Sequence, residues 1–490
     1  MINRRQFTLG ATAGATALGA VALGAASTPA AAATAKALAS NPPDATKQLA
    51  SWIVNSDWRD VPGSARNEAV RSMFNWVGCC LGGARHVTTD RAIAALAEFS
   101  GKPEATVLGR GESLDILHAA LLNGITSHVL DYDDTHLATI IHPAGPVASA
   151  ILALGERLGT SGEEFMHAFI LGVETECRIG LSVYPSHYER GFHITGTAGV
   201  FGSAAAAGKL LKLDEQQMIW ALGIAATQAA GLKDMFGTMC KAFHPGSAGQ
   251  NGLKAALLAA KNYTSSNNVL EAKEGFLFSY SDEQDFSKIT DGLGSSWEVE
   301  QNSYKPFSCG IVTHPIIDGC IQLRNEYNLT PEKISKVSLR VNPLVMSLTG
   351  KKTPQTGLEA KFSIFYISAA AIVQGAAGPN QFKDEVVLDE KIVALRDKVS
   401  ATVDATVSEE EAFVVITLQD GTVLEKHVEH AIGSVQRPLT KEQLEFKFSD
   451  QAAVALPMSQ IDDVMALCWQ IETLREVGDI AKATIPATRA

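Results

Sequence analysis

The sequence contains no C-x-x-C pair, and its seven cysteines are scattered from Cys79 to Cys468. Neither a structural zinc site nor a cysteine-ligated iron–sulfur cluster fits that spacing. Seven is odd, so at least one thiol lacks an internal partner, and a disulfide framework is not expected in a chain of 490 residues. Buried thiols are the ordinary reading; Cys240 stands apart because it adjoins Lys241. No G-x-G-x-x-G or G-x-x-x-x-G-K-[ST] follows a strand-like run, so no nucleotide cofactor is indicated. No G-x-S-x-G is present and no cysteine has an evident histidine partner, which argues against nucleophilic hydrolysis. Positive charge is also short. Lys and Arg number 41 against 53 Asp and Glu, for a net charge of −12. Phosphate neutralisation needs a basic surface, so nucleic acid is not an expected partner, and the negative charge reads as solubility. No stretch after the N-terminus has the uninterrupted apolar length of a membrane span.

The N-terminus has a character of its own. MINRRQFTLGATAGATALGAVALGAASTPAAAA places Arg4-Arg5 and Phe7 before a weakly apolar Ala/Gly/Leu stretch. Pro29 and Ala30 to Ala33 then offer an A-x-A cleavage site. This reads as a twin-arginine signal over residues 1–33. A soluble protein, exported to the periplasm by the twin-arginine machinery and free of the membrane after cleavage, is the expectation.

From about Ala45 to Tyr263 the texture is helical. VASAILALGERLG, GTAGVFGSAAAAGKLLKL and GQNGLKAALLAAKNYT carry apolar residues at helical spacing, with many Ala and Gly. Small residues at that density suit closely packed helices. Near Gln301 the pattern changes. KISKVSLRVNP and KVSATVDATVSEEEAFVVITLQDGTVLEKHVEH alternate as strands do, around one apolar helix in KFSIFYISAAAIVQGA. Strands around a helix make a small α+β domain. After Arg437 helical spacing resumes, as a return to the first domain.

Four stretches carry chemistry. SHVLDYDDTHLATIIHPAGP holds Asp131, Asp133, Asp134, Thr135, His136 and His142. ERGFHITGTAGVFG sets His193 before a Gly-rich helix start, GTMCKAFHPGSAGQNG sets Lys241 and His244 before another, and NSYKPFSCGIVTHP brings Lys305 and His314 to the domain junction. Taken singly, such residues are ordinary helix caps, core histidines and surface lysines. Together they place cations and imidazoles at helix N-termini, whose free N–H groups and dipole favour anions. A carboxylate-rich substrate suits that company. Asp131, Asp133, Asp134, His136 and His142 are also a possible divalent-metal set, although two of the other three stretches bring lysines, which repel a cation.

In their order and spacing, HVLDYDDTH…HPAGPVASAILALGE, GFHITGTAGVFGSAAAAGKLLKL, KAFHPGSAGQNGLKAALLA, YKPFSCGIVTHPIIDG and KFSIFYISAAA resemble the MmgE/PrpD family, from about Ala45 to Ile480. The family includes 2-methylcitrate dehydratase, cis-aconitate decarboxylase and iminodisuccinate epimerase. The resemblance implies a mainly α fold with an α+β part: a helical domain from residues 42–301 and 437–484, and a lid domain over 302–436. It implies a homodimer, no cofactor and no metal. It puts the active-site positions on Asp131, Thr135, His142, His193, Lys241, Lys305 and Tyr366. In that reading Lys241 and Lys305 clamp carboxylates, His142 and His193 are the acid/base candidates, and a desolvated Lys241 is a further proton donor. Asp131 orients or charge-stabilises a histidine, while Thr135 and Tyr366 hydrogen-bond substrate. The expected activity is a cofactor-independent lyase of the 2-methylcitrate dehydratase type on a di- or tricarboxylate. An isomerase, epimerase or decarboxylase is the alternative, and a periplasmic carboxylate-binding protein the non-enzymatic one.

Overall fold

The computed structural model describes residues 44–487, and the signal expected over residues 1–33 lies outside them. After the helix Ala45–Asn55, the helical part is built chiefly from α1 (Gly63–Gly83), α2 (Ile116–His128), α3 (Ala144–Leu158), α4 (Gly162–Leu181), α5 (Ile194–Leu210), α6 (Glu215–Ala226) and α7 (Cys240–Ala259). Their starts are written locally. Ser161 accepts from the Glu164 N–H while Glu164 reaches back, a capping box that opens α4, and Asp214 and Gln217 do the same for α6. α5 is buried on nearly every side, which is why it is built of Gly, Ala, Ser and Thr with no polar face. The small residues serve contact between backbones. A Cβ added to Gly124 of α2 would lie 2.5 Å from the Gly246 Cα of α7, so neither helix tolerates a side chain there.

After a two-residue pair, Ala105–Thr106 with Ser113–Leu114, comes another short pair. β1 (Asp134–His136) pairs antiparallel with β2 (Asn302–Tyr304), with Thr135 opposite Ser303. A strand of three residues gives no readable alternation, so none was expected in the helical stretch. The main sheet follows, with β3 (Ile334–Val341), β4 (Val399–Val403), β5 (Ala412–Leu418) and β6 (Val423–Val428) in the order β4-β3-β5-β6. β3 and β4 are parallel and the other neighbours antiparallel. Ala412, Val414 and Ile416 of β5 face inward at the two-residue period of a half-buried strand. α8 (His314–Glu326) and α9 (Ile364–Gln374) complete this part, sharing a core of Ile316, Leu323, Val337, Ile367 and Val414. Finally α10 (Lys441–Ala452) and α11 (Met458–Trp469) rejoin the first helices, where Phe448 packs 4.7 Å from Phe74 between ring centroids. The fold is thus mainly α with a smaller α+β part.

Six of the seven cysteines are buried, Cys240 is exposed, and all are free. Among the described residues, no helix is long and apolar enough to cross a membrane.

Candidate active site

α2 ends at His128, and the chain turns through Asp131 with a φ of 51° before entering β1. Aspartate is one of the few side chains that adopts this left-handed conformation readily. The β1–β2 pairing delivers Lys305, the residue after Tyr304, to that turn. Lys305 Nζ donates to Asp131 Oδ1 at 2.6 Å, and Lys241 Nζ lies 3.1 Å from the same oxygen. Asp131 Oδ2 is buried without a hydrogen-bond partner. Burial opposes ionisation of Asp131, but Lys241 and Lys305 more than offset it and hold its pKa well below the usual carboxylate range.

Lys241 reaches the site from the first turn of α7. The sequence reading set Lys241 and His244 ahead of a helix start; the helix instead begins at Cys240 and includes both. Lys241 Nζ also sits 2.9 Å from His128 Nε2, and His128 Nδ1 sits 2.7 Å from Asp133 Oδ2. His142 Nδ1 donates to the Asp134 carbonyl at 2.8 Å, with Thr135 Oγ1 at 3.3 Å. Its other nitrogen, Nε2, therefore carries the lone pair. Burial, against the opposing pull of Asp133, lowers the His142 pKa well below the ordinary range. Burial and the nearby Lys241 do the same for His193, so both are neutral near pH 7. His193 caps α5 and pairs its Nδ1 with His244 Nδ1 at 2.7 Å. The rings of His142 and His193 stand 6.3 Å apart, and both lie within 6 Å of His128.

Asp131, His142, His193, Lys241 and Lys305 wall one narrow cavity. Asp131, His142, His193 and Lys241 come from the helical part, and Lys305 from just beyond β2. Ile311, Leu348 and Phe362 close it from the α+β side. An adjoining hollow reaches His128 and Lys361. Apolar walls around a few convergent polar groups are the usual make-up of a small-molecule site.

Of the seven residues named from the sequence, five line this cavity: Asp131, His142, His193, Lys241 and Lys305. Thr135 stands behind His142. Tyr366 is not brought to it. Its hydroxyl donates to the Gln381 carbonyl and its ring is wholly buried in the core of the α+β part. The two carboxylates divide the contacts, and Asp131 reaches His128 and His142 through its charge. Asp131 holds lysines, whereas Asp133 holds the histidines, bonding His128 and lying 3.5 Å from His142.

The five-residue metal set does not converge either. Asp134 turns to Ser72 and Asn302, and His136 to Glu298 and Thr139. Donor atoms of Asp131, Asp133 and His142 do come within 4.8 Å of one another, as do those of His128, His142 and His193. In both groups, however, a donor is engaged by a lysine: Asp131 Oδ1 by Lys305 and Lys241, and His128 Nε2 by Lys241. A divalent cation would sit against two ammonium groups in the first set and against that of Lys241 in the second.

Sequence reasoning missed His128, Lys361 and the apolar wall of Phe236, Leu348 and Phe362. A signal existed for His128, three residues before Asp131 in the densest polar stretch of the chain. Lys361 gave none. Its Nζ donates to Leu130 O, Ser308 O and Ser308 Oγ at 2.6, 2.6 and 2.8 Å.

The chain is similar along most of its length to characterised enzymes. Cis-aconitate decarboxylase of Aspergillus terreus is 26% identical over 471 residues, covering 89% of this chain and 94% of the relative. Cis-aconitate decarboxylase of Mus musculus is 28% identical, covering 78% and 82%. The mitochondrial 2-methylcitrate dehydratase of Yarrowia lipolytica is 25% identical, covering 83% and 84%. The MmgE/PrpD N-terminal domain matches residues 47–289 and the MmgE/PrpD C-terminal domain residues 307–471. Those two matches cover most of the helical part and of the α+β part, with Lys305 in the short gap between them, and the chain belongs to the MmgE/PrpD family.

Proposed function

We propose that this protein is a cofactor-independent lyase acting on a small di- or tricarboxylic acid by moving a proton at a carbon beside a carboxylate. The observation that carries this reading is the pairing, around one cavity, of two buried lysines with two neutral histidines. The lysines offer N–H groups to substrate carboxylates in surroundings where each charge counts for more than in water. His142 Nε2 offers a lone pair for proton abstraction, and Lys241 or His193 offers a proton from another side. Loss of a carboxyl group leaves a carbanion that such an acid quenches. Loss of water uses the same base to take a proton and the same acid to protonate the departing oxygen. Carboxyl loss ranks first, because relatives named as decarboxylases align over up to 89% of this chain; a dehydratase is the second reading, supported by the Yarrowia relative. A homodimer, and export by the twin-arginine route, complete the proposal.

The test is incubation in heavy water with cis-aconitate, citrate or 2-methylcitrate, followed by proton NMR. Turnover with deuterium at the carbon beside a carboxylate is expected, unchanged by EDTA. His142→Gln, which removes the base, should lower kcat by about two to four orders with a small change in KM. A folded protein that shows thermal shifts with these acids, yet neither turnover nor exchange, would be a binding protein instead.

A further inference from the structure

We propose that His128 is a positioning residue that makes Lys241 the proton carrier of the site, through a buried Asp133–His128–Lys241 chain. This inference rests on the lyase reading for its activity readout.

The geometry begins with Asp133, whose side chain is fully buried. Its ionised carboxylate can only accept, so the 2.7 Å contact with His128 Nδ1 fixes the ring proton on Nδ1. His128 is then left with an acceptor at Nε2, and Lys241 Nζ donates to it across 2.9 Å. A second Lys241 N–H points to Asp131 Oδ1 at 3.1 Å. An ammonium has three N–H groups. With two of them tied to fixed acceptors in the wall, the third is directed into the cavity that Lys241 lines. When Lys241 gives that proton to a substrate carbon, the N–H bond breaks, the C–H bond forms, and the lone pair appears in the same direction. The two remaining N–H groups keep their partners. Lys241 can therefore return to its starting state by taking a proton along the line on which it lost one.

The charged and titratable groups around this chain are consistent with a neutral His128. Asp133 and Asp131 face it from the turn after α2, Lys241 and His244 from α7, His142 and His193 from the segments before α3 and α5. Burial, with Lys241 alongside, lowers the His128 pKa despite Asp133. A protonated His128 would turn a second N–H toward Lys241 and break the chain.

Three variants test this. His128→Leu removes both bonds, His128→Gln keeps an acceptor toward Lys241, and Asp133→Asn removes the carboxylate charge that holds the His128 proton on Nδ1. The Lys241 titration is read directly from the 13Cε lysine NMR signal that disappears in Lys241→Met, without any need for substrate. The Lys241 pKa should fall in His128→Leu and in Asp133→Asn, and stay near the native value in His128→Gln. With a turned-over acid, kcat in His128→Leu should drop by about a hundredfold, with KM within about threefold, and His128→Gln should recover roughly tenfold of that loss. An unmoved Lys241 titration in folded His128→Leu, or turnover near that of the native protein, would overturn the proposal. Absence of turnover in the native protein would strike the lyase reading alone, since the NMR comparison still stands.

Discussion

Lys305 Nζ and Asp131 Oδ1, 174 positions apart in the chain, meet at 2.6 Å with the lysine wholly buried and the aspartate nearly so. Lys305 cannot then be only a clamp for substrate. It also compensates a buried carboxylate, and a substrate carboxylate must share the lysine with Asp131.

That dual role predicts a coupled pair. Lys305→Met should cost stability, on the order of 3 kcal/mol, because it leaves Asp131 with Lys241 alone. It should also raise KM, with about 2–4 kcal/mol lost from kcat/KM. Adding Asp131→Asn removes the uncompensated charge, so the double variant should unfold later than Lys305→Met. The coupling should be about 1–3 kcal/mol by denaturant titration. Strictly additive losses would mean that the two groups do not depend on each other.

His142 sets the acid side of the pH profile. Its folded pKa is held well below the ordinary value by burial, so the neutral base persists as pH falls past about 6.5, where a free histidine would be half protonated. The acid limb of the kcat/KM profile, which reports the free protein, should therefore fall below about pH 6.5. A limb at or above that value would assign the base to another group.

How much of this was legible in the sequence depended on distance along the chain. Helices, strands and the helical return near Arg437 are local patterns, and capping pairs such as Ser161 with Glu164 mark their starts within four residues. The DYDDT cluster was visible as a cluster. Which aspartate does what was not, because that is decided by Lys241 and Lys305 arriving from 113 and 174 positions away, at His128 and Asp131 respectively. His128 looked like any histidine at the end of an apolar helix until Asp133 and Lys241 closed on its two nitrogens. Motif alone placed Tyr366 in the site; packing of α9 against α8 and the helix Glu390–Arg396 holds its ring elsewhere.

Lys361 should leave a signature in stability against pH. Burial, partly offset by Asp131, lowers its pKa from 10.5 to about 7 in the folded protein. Between those values the unfolded chain binds the proton and the folded one does not, so stability rises with pH across that window. Below about pH 7 the full cost of burying the ammonium is present. Relative to Lys361→Met, the native protein should therefore gain several kcal/mol as pH rises from 7 toward 10. Melting curves of both proteins at pH 6 and 9 measure this; a constant gap would show that Lys361 stays charged throughout.

The N-terminal arginines make a separate prediction. With Arg4 and Arg5 changed to lysine, the protein should remain in the cytoplasm, while the native sequence yields a periplasmic form that begins near Ala33. Cell fractionation with N-terminal sequencing decides this, and unchanged export of the lysine pair would remove the twin-arginine reading.

Tyr366 separates what the family resemblance implies from what the structure shows. A phenol that hydrogen-bonds substrate is part of the machinery, and Tyr366→Phe would then lower kcat/KM by a hundredfold or more. A phenol that ties α9 to the Gln381 carbonyl is a support for the α+β core. The Tyr366 ring has no exposed surface and its hydroxyl already has that partner. Removing the hydroxyl should cost about 1 kcal/mol of stability, chiefly from the carbonyl left without its donor. Because the cavity walls contain no atom of Tyr366, kcat/KM at a temperature well below melting should stay within about twofold of the native value. Steady-state kinetics and a denaturant titration on the same preparation of Tyr366→Phe measure both quantities. A large kinetic loss without loss of stability would mean that the hydroxyl leaves Gln381 and enters the cavity when substrate binds.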